Sequence, residues 1–358
     1  MNNKAVIAMS GGVDSSVAAY LMKQRGFDCI GVTMKLFANE DIGISREHSC
    51  CSLDDVEDAR SVAYSLDMPY YVFNFSDRFE TDVIDRFIHA YENGITPNPC
   101  IDCNRYLKFD KLYMRAKELD RDYVVTGHYA RVEKDENGRF LLKKALDDTK
   151  DQSYVLYCLT QEQLSHTIFP LGEMRKSQAR EIAESQGFIN ARKADSQDIC
   201  FVQNGSYADF IEQYTGKNYP NGDFLDTNGN IIGRHKGVIR YTVGQRKGLG
   251  ISAPEPLYVK AVNPVSNTVT LSYNDGLYSS IVKAGDINLI SVPEIKGEMR
   301  VKAKVRYRHT EQWATVTQNG DTMTAVFDEP QRAVTCGQAL VLYDGDTVVG
   351  GGTIIEVE

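Results

Sequence analysis

The chain has 358 residues, of which 42% are hydrophobic and 25% charged, with a formal net charge of −9. That length predicts two or three domains that bury their own cores without disulfides. No run is apolar enough to span a bilayer and no secretory signal is expected before the first strand, so the expected compartment is the cytoplasm, without a membrane partner, and the 8 cysteines are expected to be reactive, metal-binding or buried.

From Ala5 to about Thr126, short β-rich runs alternate with helical ones. The strand-like pieces are 5–9, 29–34, 70–75 and 123–126; helical patterns fill 14–25, 54–67, 77–93 and 104–119. Gly26 and Gly94 stand where a left-handed helix stop belongs. This alternation predicts a parallel α/β sheet with ligands beyond the carboxyl ends of its strands.

Ser10-Gly-Gly-Val-Asp-Ser-Ser16 lies at that edge, between the first strand and the first helix. Helix N-termini carry unpaired N–H donors and about half a positive charge, so a phosphate is the natural occupant. Gly11 and Gly12 let backbone approach the anion, Ser10, Ser15 and Ser16 add hydroxyls, and Asp14 is placed to cap the helix or help hold a metal ion. The Gly-Lys-[Ser/Thr] of a Walker A loop is missing. A capped turn with two glycines would look similar, and the nucleotide reading is the stronger.

Thr96-Pro-Asn-Pro-Cys-Ile-Asp-Cys-Asn104 follows, with Cys103 expected near a helix start beside Arg105 and Lys108. Both features should favour the thiolate. Zinc ligand, redox dithiol and reactive thiolate all remain open for this pair, the last being favoured. Cys200, in Asp195-Ser-Gln-Asp-Ile-Cys-Phe-Val202, reads alone as a buried cysteine, as do Cys29 and Cys158. Cys50 and Cys51 form a vicinal pair with no role derivable from sequence. Further helical signals cover 154–164 and 177–186.

After Tyr214 the chain turns rich in Gly, Asn and Asp, and from Tyr258 onward it reads as short strands between turns. A small β-rich domain, expected to be a barrel, therefore closes the chain. Domain boundaries are placed near 203 and 277, giving domains 1–203, 204–277 and 278–358. Two basic stretches oppose the global charge: Arg234, Lys236, Arg240, Arg246, Lys247 and Lys260, then Arg300, Lys302, Lys304, Arg306 and Arg308 alternating with apolar residues. A period of two puts these last five on one strand face. Such a row suits a nucleic-acid backbone better than a merely solvated edge.

Six motifs in order carry a resemblance over essentially the whole length: the Ser10–Ser16 loop, Pro97-Asn-Pro with Cys103-Asn104, Thr126-Gly-His-Tyr-Ala-Arg131, Lys150-Asp-Gln-Ser-Tyr154, Asp195–Phe201 and Thr242-Val-Gly-Gln-Arg-Lys-Gly248. Together they resemble the tRNA-specific 2-thiouridylases of the PP-loop ATP pyrophosphatase superfamily. The resemblance implies an N-terminal PP-loop parallel-sheet domain, a small central domain and a C-terminal β-barrel. It implies that ATP adenylates the C2 oxygen of the wobble uridine and that persulfide sulfur displaces AMP, with Mg²⁺ assisting pyrophosphate departure.

By the same resemblance, ATP is held by Ala8, Met9, Ser10, Gly11, Gly12, Val13, Asp14 and Ser15, with Met34 and Gly127 lining the adenosine pocket. Cys200 carries the persulfide and Cys103 is its catalytic counterpart. Asn98, Pro99, Cys100, His128, Lys150, Asp151, Gln152, Arg306, Tyr307 and Gln338 match tRNA-contacting positions. The implied partners are tRNAs (Lys, Glu and Gln isoacceptors) and a cysteine desulfurase or sulfur-relay protein.

Our own reading adds Arg246 and Lys247 as phosphate-gripping cations. Cys100 departs from the family pattern, standing where well-known members carry an aspartate, with Asp102 the nearby carboxylate that could substitute. Three cysteines, Cys100, Cys103 and Cys200, also open an alternative as iron–sulfur cluster ligands. Two other functions compete: a pyrophosphatase-type synthetase for a small metabolite, which leaves the cysteines and the basic strand unexplained, and a redox-sensing RNA-binding protein, which makes the phosphate loop superfluous.

Overall fold

A computed structural model describes residues 2–37, 53–195, 199–202 and 206–358. Cys50 and Cys51, part of the 195–201 motif and the boundary at 203–204 lie outside those residues. Strands β1 (Lys4–Ala8), β2 (Asp28–Lys35), β3 (Tyr70–Asn74) and β4 (Tyr123–Val125) form a parallel sheet. β5 (Arg131–Lys134) and β6 (Phe140–Lys143) make a hairpin, and β7 (Thr167–Ile168) completes the sheet in the order β3-β2-β1-β4-β7. β1 and β2 are near-continuous apolar runs because helices cover both faces. Helices α1 (Val13–Gln24) and α2 (Leu53–Ser65) supply part of that cover, with Val17, Ala18, Met22, Val62 and Ala63 in one buried cluster. The strand order reverses between β1 and β4, which opens a crevice at their carboxyl ends.

The helices between β3 and β4 are less regular than the sequence suggests. The first runs as Ser76–Phe79, a π-helical stretch Glu80–Ile84 and then Asp85–Glu92. The second starts at Pro99, five residues before the expected position, because Asn98 caps it by accepting from the Cys100 N–H at 3.2 Å and proline suits the first helical turn. It continues as a π-helix over Cys103–Lys111 and returns to α-helix at Leu112–Glu118. The expected 154–164 helix is two short ones, Ser153–Leu156 and Gln161–Ser165. Asp151 is not the N-cap of the first, which is Gln152. Its carboxylate instead accepts from the Ser153 N–H and Oγ and from the Ala145 N–H.

The central region carries β8 (Gly222–Leu225), β9 (Ile231–His235), β10 (Tyr258–Asn263) and β11 (Thr268–Ser272) in the order β10-β11-β8-β9, around Phe224, Tyr241, Val259 and Val269. Last come β12 (Tyr278–Leu289), β13 (Met299–Lys304), β14 (Gln312–Asn319), β15 (Thr322–Arg332), β16 (Ala339–Asp344) and β17 (Thr347–Val357). Pairing runs β12-β15-β14-β13-β16-β17, and β12 also pairs with β17, closing a barrel without free edges. Arg139 reaches across from the β5–β6 hairpin, its guanidinium donating to the Ile290 and Val292 carbonyls.

β13 alternates as expected, with Val301 and Ala303 inside. It ends at Lys304, however, so Arg306 and Arg308 do not share its outer face. The chain turns there because the Arg306 guanidinium is drawn inward to the carbonyls of Ala333 and Val243 and to Thr335 Oγ1.

Candidate active site

The crevice between β1 and β4 opens into a cavity of about 1410 Å³. At one end stand Ser10, Gly12, Val13, Asp14 and Ser15; Cys100, Cys103 and Cys200 stand further along, and Lys304, Tyr307 and Arg308 close it from the barrel. One continuous space thus joins the phosphate loop, the thiols and a basic rim.

At the loop, Gly12 is the N-cap of α1 and no side chain caps the helix, which leaves its first N–H groups to a ligand. Gly11 has φ +73° and lies against the Asp55 backbone, where a Cβ would clash. Asn190 fastens the turn by donating to the Gly11 carbonyl and to Ser16 Oγ, both at 2.9 Å. Gly127 approaches α1 from β4; a Cβ there would lie 2.7 Å from the Asp14 carbonyl carbon. Ala8, Met9, Met34 and Gly127 all line the same cavity.

Asp14 does not cap α1. Its carboxylate accepts from Lys176 Nζ at 2.7 and 2.8 Å and from the Tyr129 hydroxyl at 2.8 Å. Lys176 also pairs with Asp195 at 2.8 Å, and Lys150 and Arg180 converge on that same carboxylate at 2.8 and 2.9 Å. Burial alone would raise the Asp195 carboxyl, but Lys150 and Lys176 hold it down at about 2. Lys193 pairs with Asp55 and Asp58 at 2.5 and 2.6 Å. Lys176, Asn190 and Lys193 escaped the sequence reading, because nothing in their local spacing signals that the first two meet the loop, and Lys193 the start of α2, from over a hundred residues away; Tyr129 lies in the 126–131 motif, which gave no sign of its bond to Asp14.

The thiol end is drier. Cys103 is buried, and half-buried Cys200 packs in the same cluster, with Phe79, Phe87 and Phe201. Burial pushes the Cys103 thiol up, with Lys108 opposing and Asp102 reinforcing the rise. The expected thiolate-favouring environment is therefore corrected: the cysteine sits inside a helix and under protein, and Arg105 turns away to Asp286. Asp102 does not replace the family's aspartate in the cavity. It faces Arg86 at 3.6 Å, and burial raises its carboxyl to about 6 against the pull of Arg86 and Arg105. His128 shares a 2.7 Å hydrogen bond with Thr126 Oγ1 and packs by Phe109 and Phe169; burial, then Lys108, holds it well below the ordinary histidine range, so it is neutral.

No three His, Cys, Asp or Glu side chains converge as a metal site among the described residues. Cys100, Cys103 and Cys200 share a cavity wall without forming a cluster cage, and Asp14 is already committed to Lys176. Among the described residues the side chains form no ready ligand set for an iron–sulfur cluster or for Mg²⁺.

The remaining predicted contacts divide into two groups. Pro99, Cys100, His128, Lys150, Asp151, Gln152 and Tyr307 line the cavity, the Tyr307 hydroxyl donating to the Asp151 carbonyl at 3.2 Å. Asn98 caps its helix, Gln338 donates to the carbonyls of Thr96 and Pro97 at 2.9 and 3.1 Å, and Arg306 is turned into the barrel junction. Of the central cations, Arg240 is neutralised by Asp209 and Glu212 at 2.8 and 2.6 Å, and Arg234 pairs with Asp223 at 3.1 Å. Arg246 and Lys247 are exposed.

The chain matches three family models: the tRNA methyl transferase HUP domain over residues 3–204, the tRNA methyl transferase PRC-barrel domain over 208–273 and the aminomethyltransferase beta-barrel domain over 279–354. A tRNA-specific 2-thiouridylase MnmA of Clostridioides difficile is 52% identical, covering 99% of this chain and 98% of that protein. Those of Lachnoclostridium phytofermentans (52%, covering 99% of each) and Acetivibrio thermocellus (49%, covering 98% of this chain and 99% of that protein) are similarly related.

Proposed function

The chain belongs to the tRNA-specific 2-thiouridylases, and we propose that it converts the wobble uridine of tRNA to 2-thiouridine by adenylation followed by sulfur displacement. The continuity of one cavity from the phosphate loop to Cys103 and Cys200 supports this reading most strongly. ATP places its phosphates on the uncapped N-terminus of α1, with Met34 and Gly127 beside the adenosine. Mg²⁺ enters only as the companion of the triphosphate. The uracil O2 attacks the α-phosphorus, the O–P bond forms, pyrophosphate leaves and N3 gives up a proton.

A persulfide on Cys200, loaded by a cysteine desulfurase or relay protein, then attacks C2. The S–C bond forms, and the C2–O bond breaks with its electron pair leaving on AMP. The Cys103 thiolate attacks the Cys200 sulfur, the S–S bond breaks toward the base, and N3 regains a proton. The cysteines end as a disulfide that an external thiol must reduce. The base reaches this site only when unstacked, as an anticodon loop allows.

Within this proposal the tRNA lies along Pro99, Cys100, His128, Lys150–Gln152 and Tyr307, its phosphates held by Arg246 and Lys247, while Asn98, Arg306 and Gln338 brace the wall behind it through their protein hydrogen bonds. Lys, Glu and Gln isoacceptors are the proposed substrates and the cytoplasm the proposed compartment. Among the described residues no helix is long and apolar enough to cross a membrane.

The test is nucleoside mass spectrometry of unmodified tRNA incubated with protein, ATP, Mg²⁺ and either sulfide or a desulfurase with cysteine. The expected result is 2-thiouridine with both donors, and none from the desulfurase with Cys200→Ser. No thiolated uridine with either donor, aerobically or anaerobically, would overturn the reading. Pyrophosphate release without tRNA would then favour a metabolite synthetase, and no release at all an RNA-binding module.

A further inference from the structure

The π-helix Cys103–Lys111 is the least expected feature of the cavity wall. π-Helical stretches are rare and tend to occur at functional sites. In an α-helix, residues five apart lie about 140° from one another around the axis, so Lys108 would point away from Cys103. With i→i+5 hydrogen bonding the turn is wider, and the two fall on the same face. Both line the cavity. The phase of this turn is fixed by Asn104, whose fully buried amide donates to the Val155 carbonyl at 2.9 Å.

Lys108 also differs from three other lysines of the wall. Lys144, Lys150 and Lys193 are each ion-paired, to Glu311, Asp195 and Asp55. Among the described residues Lys108 has no ion-pair or hydrogen-bond partner. A half-buried ammonium left unpaired is costly unless an anion joins it. Its charge is felt at both Cys103 and His128. Asp102 on the same helix acts on Cys103 in the opposite sense, Cys200 packs in the same cluster, and neutral His128 lines the same cavity.

We propose that π-helical winding brings the Lys108 ammonium beside Cys103 as a positioning charge that stabilises the thiolate needed to attack the Cys200 sulfur. This rests on the sulfur-transfer reading above. Lys108 forms no bond in the step; it offsets the cost of a negative sulfur in a buried wall.

The test measures iodoacetamide alkylation of Cys103 at pH 7, resolved by peptide mass spectrometry, in the full-length wild type and in Lys108→Met, Lys108→Gln and Lys108→Arg. Circular dichroism checks each fold. Parallel assays follow tRNA-dependent pyrophosphate release and desulfurase-fed thiolation. The expected result is alkylation about tenfold slower in Met and Gln, the scale of one pKa unit, restored in Arg. Thiolation should fall in step while pyrophosphate release holds. Unchanged alkylation in folded Met or Gln variants overturns the proposal. An alkylation loss that Arg restores, in a protein that never thiolates tRNA, would keep the charge pairing and sink the sulfur-transfer reading instead.

Discussion

The two ends of the cavity are built on opposite electrostatic plans. At the phosphate loop, Asp14, Lys176, Asp195, Lys150 and Arg180 form a connected ion-pair network, with Lys193, Asp55 and Asp58 beside it. At the thiol end, burial keeps Cys103 protonated and His128 neutral among aromatic rings. The first end gathers lysines and an arginine that are already ion-paired beside the helix N-terminus. The second holds its reactive groups uncharged until chemistry requires otherwise, which protects an activated base from water.

The comparison is broken most completely at the thiols. Cys200→Ser should lower desulfurase-fed thiolation on the order of 10⁶-fold, the scale of losing a nucleophile, while tRNA-dependent pyrophosphate release continues. Loss of both activities together would mean that the two ends are not separable. Gly127→Ala attacks the other end. Its methyl would press on the Asp14–Ser15 backbone at 2.7–2.8 Å, and a displacement near 1 Å costs about 10²-fold in a positioned reaction. Pyrophosphate release and thiolation should fall equally in that variant.

A smaller effect tests the network itself. Asp195→Asn removes the carboxylate shared by Lys150, Lys176 and Arg180 and should cost about 1.5–3 kcal/mol, the range for hydrogen bonds to charged groups, read by urea unfolding at pH 7. Because the folded carboxyl sits at about 2 against 3.8, its contribution is complete above pH 3.8 and is lost as pH falls through about 2. The variant should lack that acid limb. His128 has the opposite chemistry but a similar sign. Its folded pKa is depressed, so the unfolded chain takes up the proton first and stability falls as pH drops below about 6.5. His128→Asn should flatten that part of the pH–stability curve. His235 and His309, also depressed by burial, would leave a residual slope.

What could be read from sequence was what repeats locally. The β1 turn and α1 announce themselves in an apolar run, two glycines and an amphipathic helix, and the β13 alternation survives folding as far as Lys304. Left-handed stops at Gly26 and Gly94 occur with φ +78° and +70°. The β5–β6 hairpin that joins the barrel was missed, because its partner β17 lies two hundred residues on. The thiolate expectation failed because burial outweighs sequence-adjacent cations, and proximity in sequence says nothing about burial. The nearness of Lys108 to Cys103 was legible, but the π-helical turn that puts them on one face has no period that separates it from an α-helix over nine residues.

The smallest expected effect sharpens the comparison at the basic rim. Arg306 and the pair Arg246–Lys247 are all expected from sequence to meet tRNA, yet they are placed differently. The Arg306 guanidinium is spent on the Ala333 and Val243 carbonyls and on Thr335, whereas Arg246 and Lys247 are exposed. Replacing an exposed phosphate-gripping cation weakens binding modestly and lowers the salt slope by about one unit. Replacing a cation spent on protein carbonyls leaves the slope in place and lowers stability, since the carbonyls lose a charged donor. Titrations of tRNA binding against salt should therefore give Arg246→Ala and Lys247→Ala slopes each about one unit shallower, at unchanged melting temperature. Arg306→Ala should lower the melting temperature and, at low salt, keep the wild-type slope. If Arg306→Ala also loses slope, its guanidinium must leave Ala333 to meet the tRNA, and the barrel junction rearranges on binding.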